Sequence, residues 1–320
     1  MRQYIVRRLL QMIPVLVGVS LVIFLIFAMA PGDALSDSAD LKMSPEAKQE
    51  LRHKMHLDEP KLVQYGYWAS GALKGNLGDS FRYQQPVTKV INTYIWNSFI
   101  LSLLSFVVSI LIAIPIGVVS ATKQYSGFDY LFTILALVGI SIPAFFFAYM
   151  LIKWFAVDIK LFPVSGMTTP GSALTGVAKA GDVMHHMFLP FIVLTLINVA
   201  EIMRYTRSSM LEVIRQDYIR TARAKGLKEK VVIYKHALRN GLIPVITILG
   251  MWLPALFGGA IMTEQIFNWP GIGPITLISV YGRDYPLLMG INMLLAVLTL
   301  LGNLIADVTY ALVDPRIRLK

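Results

Sequence analysis

The chain has 320 residues, 56% of them hydrophobic and 15% charged, with a formal net charge of +10. Ordinary globular domains are about a quarter charged, so this composition excludes a soluble fold of this size, and much of the surface must face something other than water. The absence of cysteine excludes disulfides, thiolate metal sites and cysteine nucleophiles, and basic residues gathered beside long uncharged runs point to a membrane surface rather than to nucleic acid.

An apolar helix needs about 20 residues to cross a hydrocarbon core of about 30 Å. In chain order, the first run near that length is Leu9 to Ala30, preceded by Arg2, Arg7 and Arg8. Its end, Ala28-Met29-Ala30, has the look of a signal-peptide cleavage motif, but the run exceeds a signal core of about 7 to 15 residues, so a retained first helix over residues 1–30 is expected. Residues 31–97 then read as a loop or small cap, with eight Lys or Arg balanced by eight Asp or Glu. Ser44-Pro45-Glu46 looks like a helix start, with an amphipathic stretch to about Met55. After the turn at Asp58-Glu59-Pro60, Leu62 to Leu73 gives a second short helical pattern, and Gly75, Gly78 and Pro86 mark a packed loop.

The remaining residues, 98–320, supply five further spans. Ser98 to Thr122 and Leu131 to Ile152 come first, and Gly241 to Thr263 and Tyr285 to Ala306 come last. Between them Val183 to Ala200 is marginal in length; extended past Glu201 toward Arg204 it completes six, and Glu201 must then face a protein interior, a water-filled cavity or the interface. Pro14, Pro115, Pro143, Pro190 and Pro254 lie in or near these spans, where each removes a backbone donor and can kink the helix. His185 and His186 have no ligand set around them and read as helix-end residues.

Orientation follows from Lys and Arg in the loops. The N-terminal tail, the segment from Glu201 to Arg239 with ten Lys or Arg against four Asp or Glu, and the tail bearing Arg316, Arg318 and Lys320 agree on one side if the spans number six. The expected fold is therefore all-α, a polytopic membrane protein of six transmembrane helices with both termini cytoplasmic.

Within the basic loop, at about 205–240, the run from Asp217 to Lys235 has too many charges to span a bilayer and too regular an apolar spacing for a linker. Ala222, Ala224, Leu227, Val231, Ile233 and Tyr234 offer apolar contacts beside basic residues, and Gly226 breaks the pattern as a turn between two short helices. Such an amphipathic knob suits lipid or a partner groove.

The same segment resembles the cytoplasmic loop of ABC importer permeases, with pattern Glu-Ala-Ala, three residues, Gly, nine residues, Ile-x-Leu-Pro. Ala222 matches the last alanine, Gly226 the glycine and Leu238 the leucine, while Arg220, Thr221, His236 and Arg239 depart from it. Thr221-Ala222-Arg223-Ala224-Lys225-Gly226 and His236-Ala237-Leu238-Arg239-Asn240 are similar to the dipeptide, oligopeptide and nickel branch. So are Tyr4 to Arg8, Leu57-Asp58-Glu59-Pro60, Gly75 to Ser80, Phe267 to Gly273 and Arg283-Asp284-Tyr285-Pro286, and the long loop after the first helix resembles the first permease of a pair.

The resemblance implies a non-catalytic subunit of a bacterial or archaeal plasma (inner) membrane. Its implied partners are a second permease, two cytoplasmic ATPases that bind ATP and Mg, an external peptide-binding protein and membrane lipid, with no cofactor in this chain. It further implies that Leu227 to Tyr234 is a helix docking in an ATPase groove, with Thr221, Ala222, Gly226, Leu227, Val231, Tyr234, His236 and Leu238 as the docking-loop positions. No Gly-x-x-x-x-Gly-Lys-Ser/Thr phosphate loop is present in the chain itself.

Glu201, Arg204 and Asn292 are candidates for a pathway or gate, set against an interfacial charge cluster of Glu201 with Arg204 and Arg207 and against Asn292 and Asn303 bridging helices by hydrogen bonds. Trp269-Pro270-Gly271 reads either as a tightly packed or re-entrant turn or as an interface anchor, and Gly258 and Gly259 as sites of close helix packing. Rival functions are a nickel-chelate importer of the same branch, a secondary transporter driven by an ion gradient, for which Glu201 and the span prolines speak, and a nontransporting scaffold.

Overall fold

The structure, a computed structural model, describes residues 2–29, 45–54, 56, 58–246 and 252–313. Among them the fold is all-α, without a sheet, and four helices are long and apolar enough to cross a membrane, or five if one sharply bent pair counts as a span. Ala30 of the supposed cleavage motif, Ser44, Met55, Leu57 and the tail with Arg316, Arg318 and Lys320 lie outside the described residues.

The first long helix, α1 (Arg2–Ala28), carries Pro14 without interruption. Two cap helices follow, α2 (Pro45–Lys54) and α3 (Lys61–Leu73), close to the expected stretches. Ser20 on α1 meets the Tyr65 hydroxyl at 2.8 Å, and Phe24 meets the Tyr65 ring edge-on at 5.5 Å, so α3 is seated on α1.

Helix α4 (Val87–Thr122) begins eleven residues before the expected span. Its residues Leu101, Ser105, Ser109, Ala113, Gly117 and Ala121, spaced by four, form a ridge of mostly small side chains, a spacing that lets helix backbones approach closely. The ridge meets α7 (Gly176–Ile214), the longest helix, which contains the marginal Val183 to Ala200 run and Pro190. Ser105 and Ser109 donate to the α7 carbonyls of Phe191 and Thr195 at 3.4 and 3.1 Å. These helices form the centre of the molecule.

Two expected spans need correction. Leu131 to Ile152 is not one rod: α5 (Gly127–Ser141) and α6 (Ala144–Leu151), the latter prolonged by a π-helical stretch (Ile152–Asp158), meet at 101°. Pro143 forces the preceding Ile142 into an extended conformation, ψ 123°, which ends α5 there. Gly241 to Thr263 is interrupted as well. Residues 247–251 are outside the described set, and beyond them α11 (Leu253–Gly258) stops at Gly259, φ +73°, before α12 (Ile261–Ile266). The marginal run, conversely, is the middle of a helix of 39 residues.

After a turn come α13 (Ile272–Tyr281) and α14 (Tyr285–Val313). Val87, Val90, Ile91 and Ile95 of α4 are buried with Ile272 and Ile275 of α13 and Leu287 and Ile291 of α14. At the start of α14, fully buried Asp284 accepts from the backbone N–H groups of Arg82 at 3.1 Å and Leu287 at 3.3 Å and from the Ser80 hydroxyl. One carboxylate thus caps α14 and ties it to the loop after the cap, which explains why the Gly75–Ser80 and Arg283–Pro286 segments belong together.

Candidate functional site

The knob is built at the end of α7. Helix α8 (Asp217–Ala224) is followed by Gly226 at φ +75°, a left-handed conformation that suits glycine. The chain re-enters helix at α9 (Glu229–Val231), widens through a π-helical stretch (Val232–Ala237) and ends in α10 (Leu238–Gly241). The second helical arm therefore starts at Glu229, not Leu227, because Lys228 is still extended at ψ 136° as the chain leaves the turn, and it runs past Tyr234.

Two faces separate along this knob. Ile219 and Ala222 of α8 with Val232, Ile233 and Ala237 are buried against Val118 and Ala121 of α4 and Met210 of α7, and Leu238 packs on the same cluster. Ala222 and Ile233, read from the sequence as offering apolar contacts beside the basic residues, are thus part of the seat, where α4 and α7 cover them. His236 is half-buried, and Thr221, Gly226, Leu227, Val231 and Tyr234 are exposed, with Tyr218 beside them. Arg220, Lys225, Lys228, Lys230 and Lys235, interleaved with them along the chain, are also exposed. Exposed apolar residues interleaved with cations can dock in a groove that carries acidic groups.

The arms are stapled across the Gly226 turn. Arg223 donates to both Glu229 carboxylate oxygens, its shortest bond being 2.7 Å, and holds that carboxyl below its usual range. Asn240 donates to the Tyr218 hydroxyl at 3.0 Å, and Ser209 of α7 donates to the Gly241 carbonyl at 2.7 Å. Gly241 has no room for a side chain, since a Cβ there would come within 2.5 Å of the Met210 sulfur. The knob is therefore a fixed extension of α7.

The pathway candidates are dispersed. Glu201 is half-buried on α7, and Arg204 is exposed, its guanidinium 5.5 Å from the Tyr205 ring centroid. Arg207 does not complete the expected cluster with them: it makes a bidentate pair with Asp129 at the start of α5, at 2.7 and 2.8 Å. Sequence reading passed over Asp129 because its partner lies 78 residues away. Asn292 donates to the Leu288 carbonyl of its own helix at 2.7 Å, and Asn303 is exposed, so the bridging role read for Asn292 gives way to bonding within α14.

A second constellation was also missed. Glu264, fully buried on α12, accepts from the backbone N–H groups of Ala260 at 3.2 Å and Gly273 at 2.9 Å and from Ser98 of α4. Ser98 in turn accepts from Ile272 N–H at 2.8 Å. Trp269, 1% exposed, donates to the Asn97 carbonyl at 3.1 Å while Asn97 donates to Pro270 at 2.7 Å, so the Trp-Pro-Gly segment is a packed turn and not an interface anchor. An acid between an apolar run and closely spaced glycines was the available signal. His185 and His186 sit within α7, bonded to the carbonyls of Leu161 and Asp182, and among the described residues no three His, Asp or Glu gather as a metal site.

Comparison with known proteins gives matches along nearly the whole chain. Residues 113–319 match the family described as binding-protein-dependent transport system inner membrane component, and residues 1–95 match that family's N-terminal region. The oligopeptide transport system permease protein AppB of Bacillus subtilis is 43% identical over 318 residues, covering 99% of each chain. The dipeptide transport system permease protein DppB of Escherichia coli K12 is 40% identical over 338 residues, covering 100% of each. Among solved structures, an amino acid ABC transporter crystallised with histidines shares the fold, with a TM-score of 0.52 at 13% identity over 70% of this chain and 94% of that one.

Proposed function

Because the chain belongs to the family of binding-protein-dependent transport system inner membrane components, we propose that it is one permease subunit of an ATP-driven importer of short peptides delivered by an external binding protein. End-to-end similarity to permeases named for oligopeptide and dipeptide transport supports the substrate class. The observation that carries the mechanism is the Gly226 knob, whose outer face is apolar and basic and whose inner face is packed into α4 and α7. Its partners are a second permease, two ATPases that bind ATP and Mg, and the binding protein.

In this reading the subunit has six spans with both termini cytoplasmic. The bent α5–α6 pair serves as one, and the broken stretch from α10 to α12 as another. Residues 1–30 form the first span, 31–97 an external cap and 98–320 the permease core. The knob at about 205–240 is cytoplasmic, which the ten cations of Glu201–Arg239 favour. Closure of the ATPases on Leu227, Val231 and Tyr234 displaces the knob, and the seat of Ile219, Ala222 and Val232 passes that displacement to α4 and α7 without chemistry in this chain.

The test is reconstitution of the chain with its permease partner, ATPases and binding protein in vesicles. Uptake of a labelled di- or oligopeptide that requires ATP hydrolysis is expected. Uptake that persists without hydrolysis, or that follows an imposed proton gradient, overturns the reading.

A further inference from the structure

A cleft of about 480 Å³ opens between the cap and the cap-side ends of α1 and α14, within the size range of about 300–1,000 Å³ typical of small-ligand sites. Its lining divides by origin. The long helices contribute Phe24, Phe27, Ala28, Tyr285 and Met289, while each charged lining residue, Arg52, Lys61 and Asp79, comes from the cap and the loop after it. On α3 the lining residues Lys61, Gln64, Tyr67, Trp68 and Gly71 follow one broad helix face.

The walls are fixed by contacts already in place. Phe27 stacks on Tyr285 with ring centroids 5.6 Å apart, joining α1 to α14, and the Ser20–Tyr65 bond holds α3 over them. Trp68 contributes a buried indole N–H that finds no acceptor among the described residues. A buried donor left without an acceptor is costly, so a site that keeps one is suited to an occupant that supplies it.

We propose that this cleft holds one anionic phospholipid of the cap-side leaflet, an acyl chain among Phe24, Phe27 and Met289 and the phosphate near Lys61 and the Trp68 N–H. The segregated lining calls for an amphiphile: apolar walls from two membrane helices, and a polar rim that carries the exposed Lys61 ammonium and the Trp68 N–H. Aromatic rings with polar tips, such as Tyr67, Trp68 and Tyr285, concentrate where headgroups meet hydrocarbon. A peptide would present amides along its length, and the side chains of Phe24, Phe27, Ala28 and Met289 offer them no hydrogen bonds. The inference depends neither on the transported substrate nor on which side of the membrane the cap faces.

The experiment uses the assembled importer, exchanged into nanodiscs of mixed phosphatidylglycerol and phosphatidylcholine and analysed by native mass spectrometry. One phosphatidylglycerol per chain is expected to survive activation, preferred over phosphatidylcholine by about fivefold for each rim cation engaged. Lys61→Glu, at an exposed position, is expected to abolish the preference, and Ala28→Trp to expel the lipid by filling the cleft. Trp68→Phe, which keeps an aromatic ring and removes the donor, is expected to weaken retention. Equal retention of the two headgroups, or retention unchanged by both Lys61→Glu and Ala28→Trp, overturns the proposal. So does protection of an Ala28→Cys variant from labelling by a short peptide and not by phosphatidylglycerol.

Discussion

Gly117 and Thr206 meet so closely that a Cβ on the glycine would lie 2.8 Å from the threonine Cβ and 2.9 Å from the Met203 carbonyl oxygen. The second neighbour is backbone and cannot rotate away, so any side chain must part α4 from α7. Gly117→Leu is expected to cost at least about 1–3 kcal/mol, the usual range for overpacking, read as a lower midpoint in thermal unfolding of the detergent-purified assembly. A wild-type midpoint for Gly117→Ala and Gly117→Leu alike contradicts the close approach.

Gly226 poses the opposite case, because nothing stands within 4 Å of where its Cβ would be, and the demand is conformational, at φ +75°. A left-handed backbone costs an ordinary L-residue about 1–2 kcal/mol, with asparagine the best tolerated. Gly226→Asn is expected to keep most uptake, whereas Gly226→Glu, adding negative charge to the proposed docking surface, is expected to assemble normally and lose about tenfold in coupled uptake, equivalent to about 1.4 kcal/mol of docking energy. Full uptake by Gly226→Glu at equal subunit abundance removes the docking role.

The Arg223–Glu229 staple sets a pH dependence. Glu229 titrates below its ordinary range in the folded chain because Arg223 donates to it, so its contribution is present above the unfolded carboxylate pKa and is lost as pH falls through the lower folded value. Both side chains are partly exposed, 40% and 60%, so the pair contributes at most about 1 kcal/mol. Glu229→Gln is expected to make coupled ATPase activity less tolerant of heat near neutral pH and to change little in acid. A loss that grows as pH falls contradicts this sign.

Glycines in the Trp269 turn are constrained by volume. A Cβ on Gly271 would fall 2.3 Å from both Glu264 Oε2 and Ser98 Oγ, although its φ of −117° is open to any residue. Gly75, at φ +81° with nothing within 4 Å, carries a conformational demand and no steric one. Gly271→Ala is expected to destabilise by about 1–3 kcal/mol through overpacking, and Gly75→Ala by about 1–2 kcal/mol through backbone strain. Shortening the acid in a Gly271→Ala, Glu264→Asp double variant is expected to recover part of the first loss and to do nothing for Gly75→Ala. Equal unfolding midpoints for Gly271→Ala with and without Glu264→Asp contradict the clash.

What the residues disclosed in advance was local. Unbroken hydrophobicity gave α1, α4 and α14, the cap helices appeared within a residue or so of their bounds, and the glycine turn of the knob was legible from Gly226. What stayed hidden is set by partners distant in sequence. Periodicity did not say that Ala222 and Ile233 face the seat while Val231 and Tyr234 face outward, because that depends on where α4 and α7 lie. Hydropathy could not see that Pro143 and Gly259 break runs that remain apolar throughout. The acids Asp129, Glu264 and Asp284 each look ordinary until Arg207, Ser98 and Ser80 are brought to them.

Helix α7 has 39 residues, and at about 1.5 Å per residue it is about 58 Å long, nearly twice a hydrocarbon core of about 30 Å. Standing upright in a bilayer, it would project well past the hydrocarbon as a stalk. Since the helix passes Pro190 unbroken and the knob is fastened to its C-terminal end, a force on the knob is borne by one continuous helix that reaches to the far side of the core.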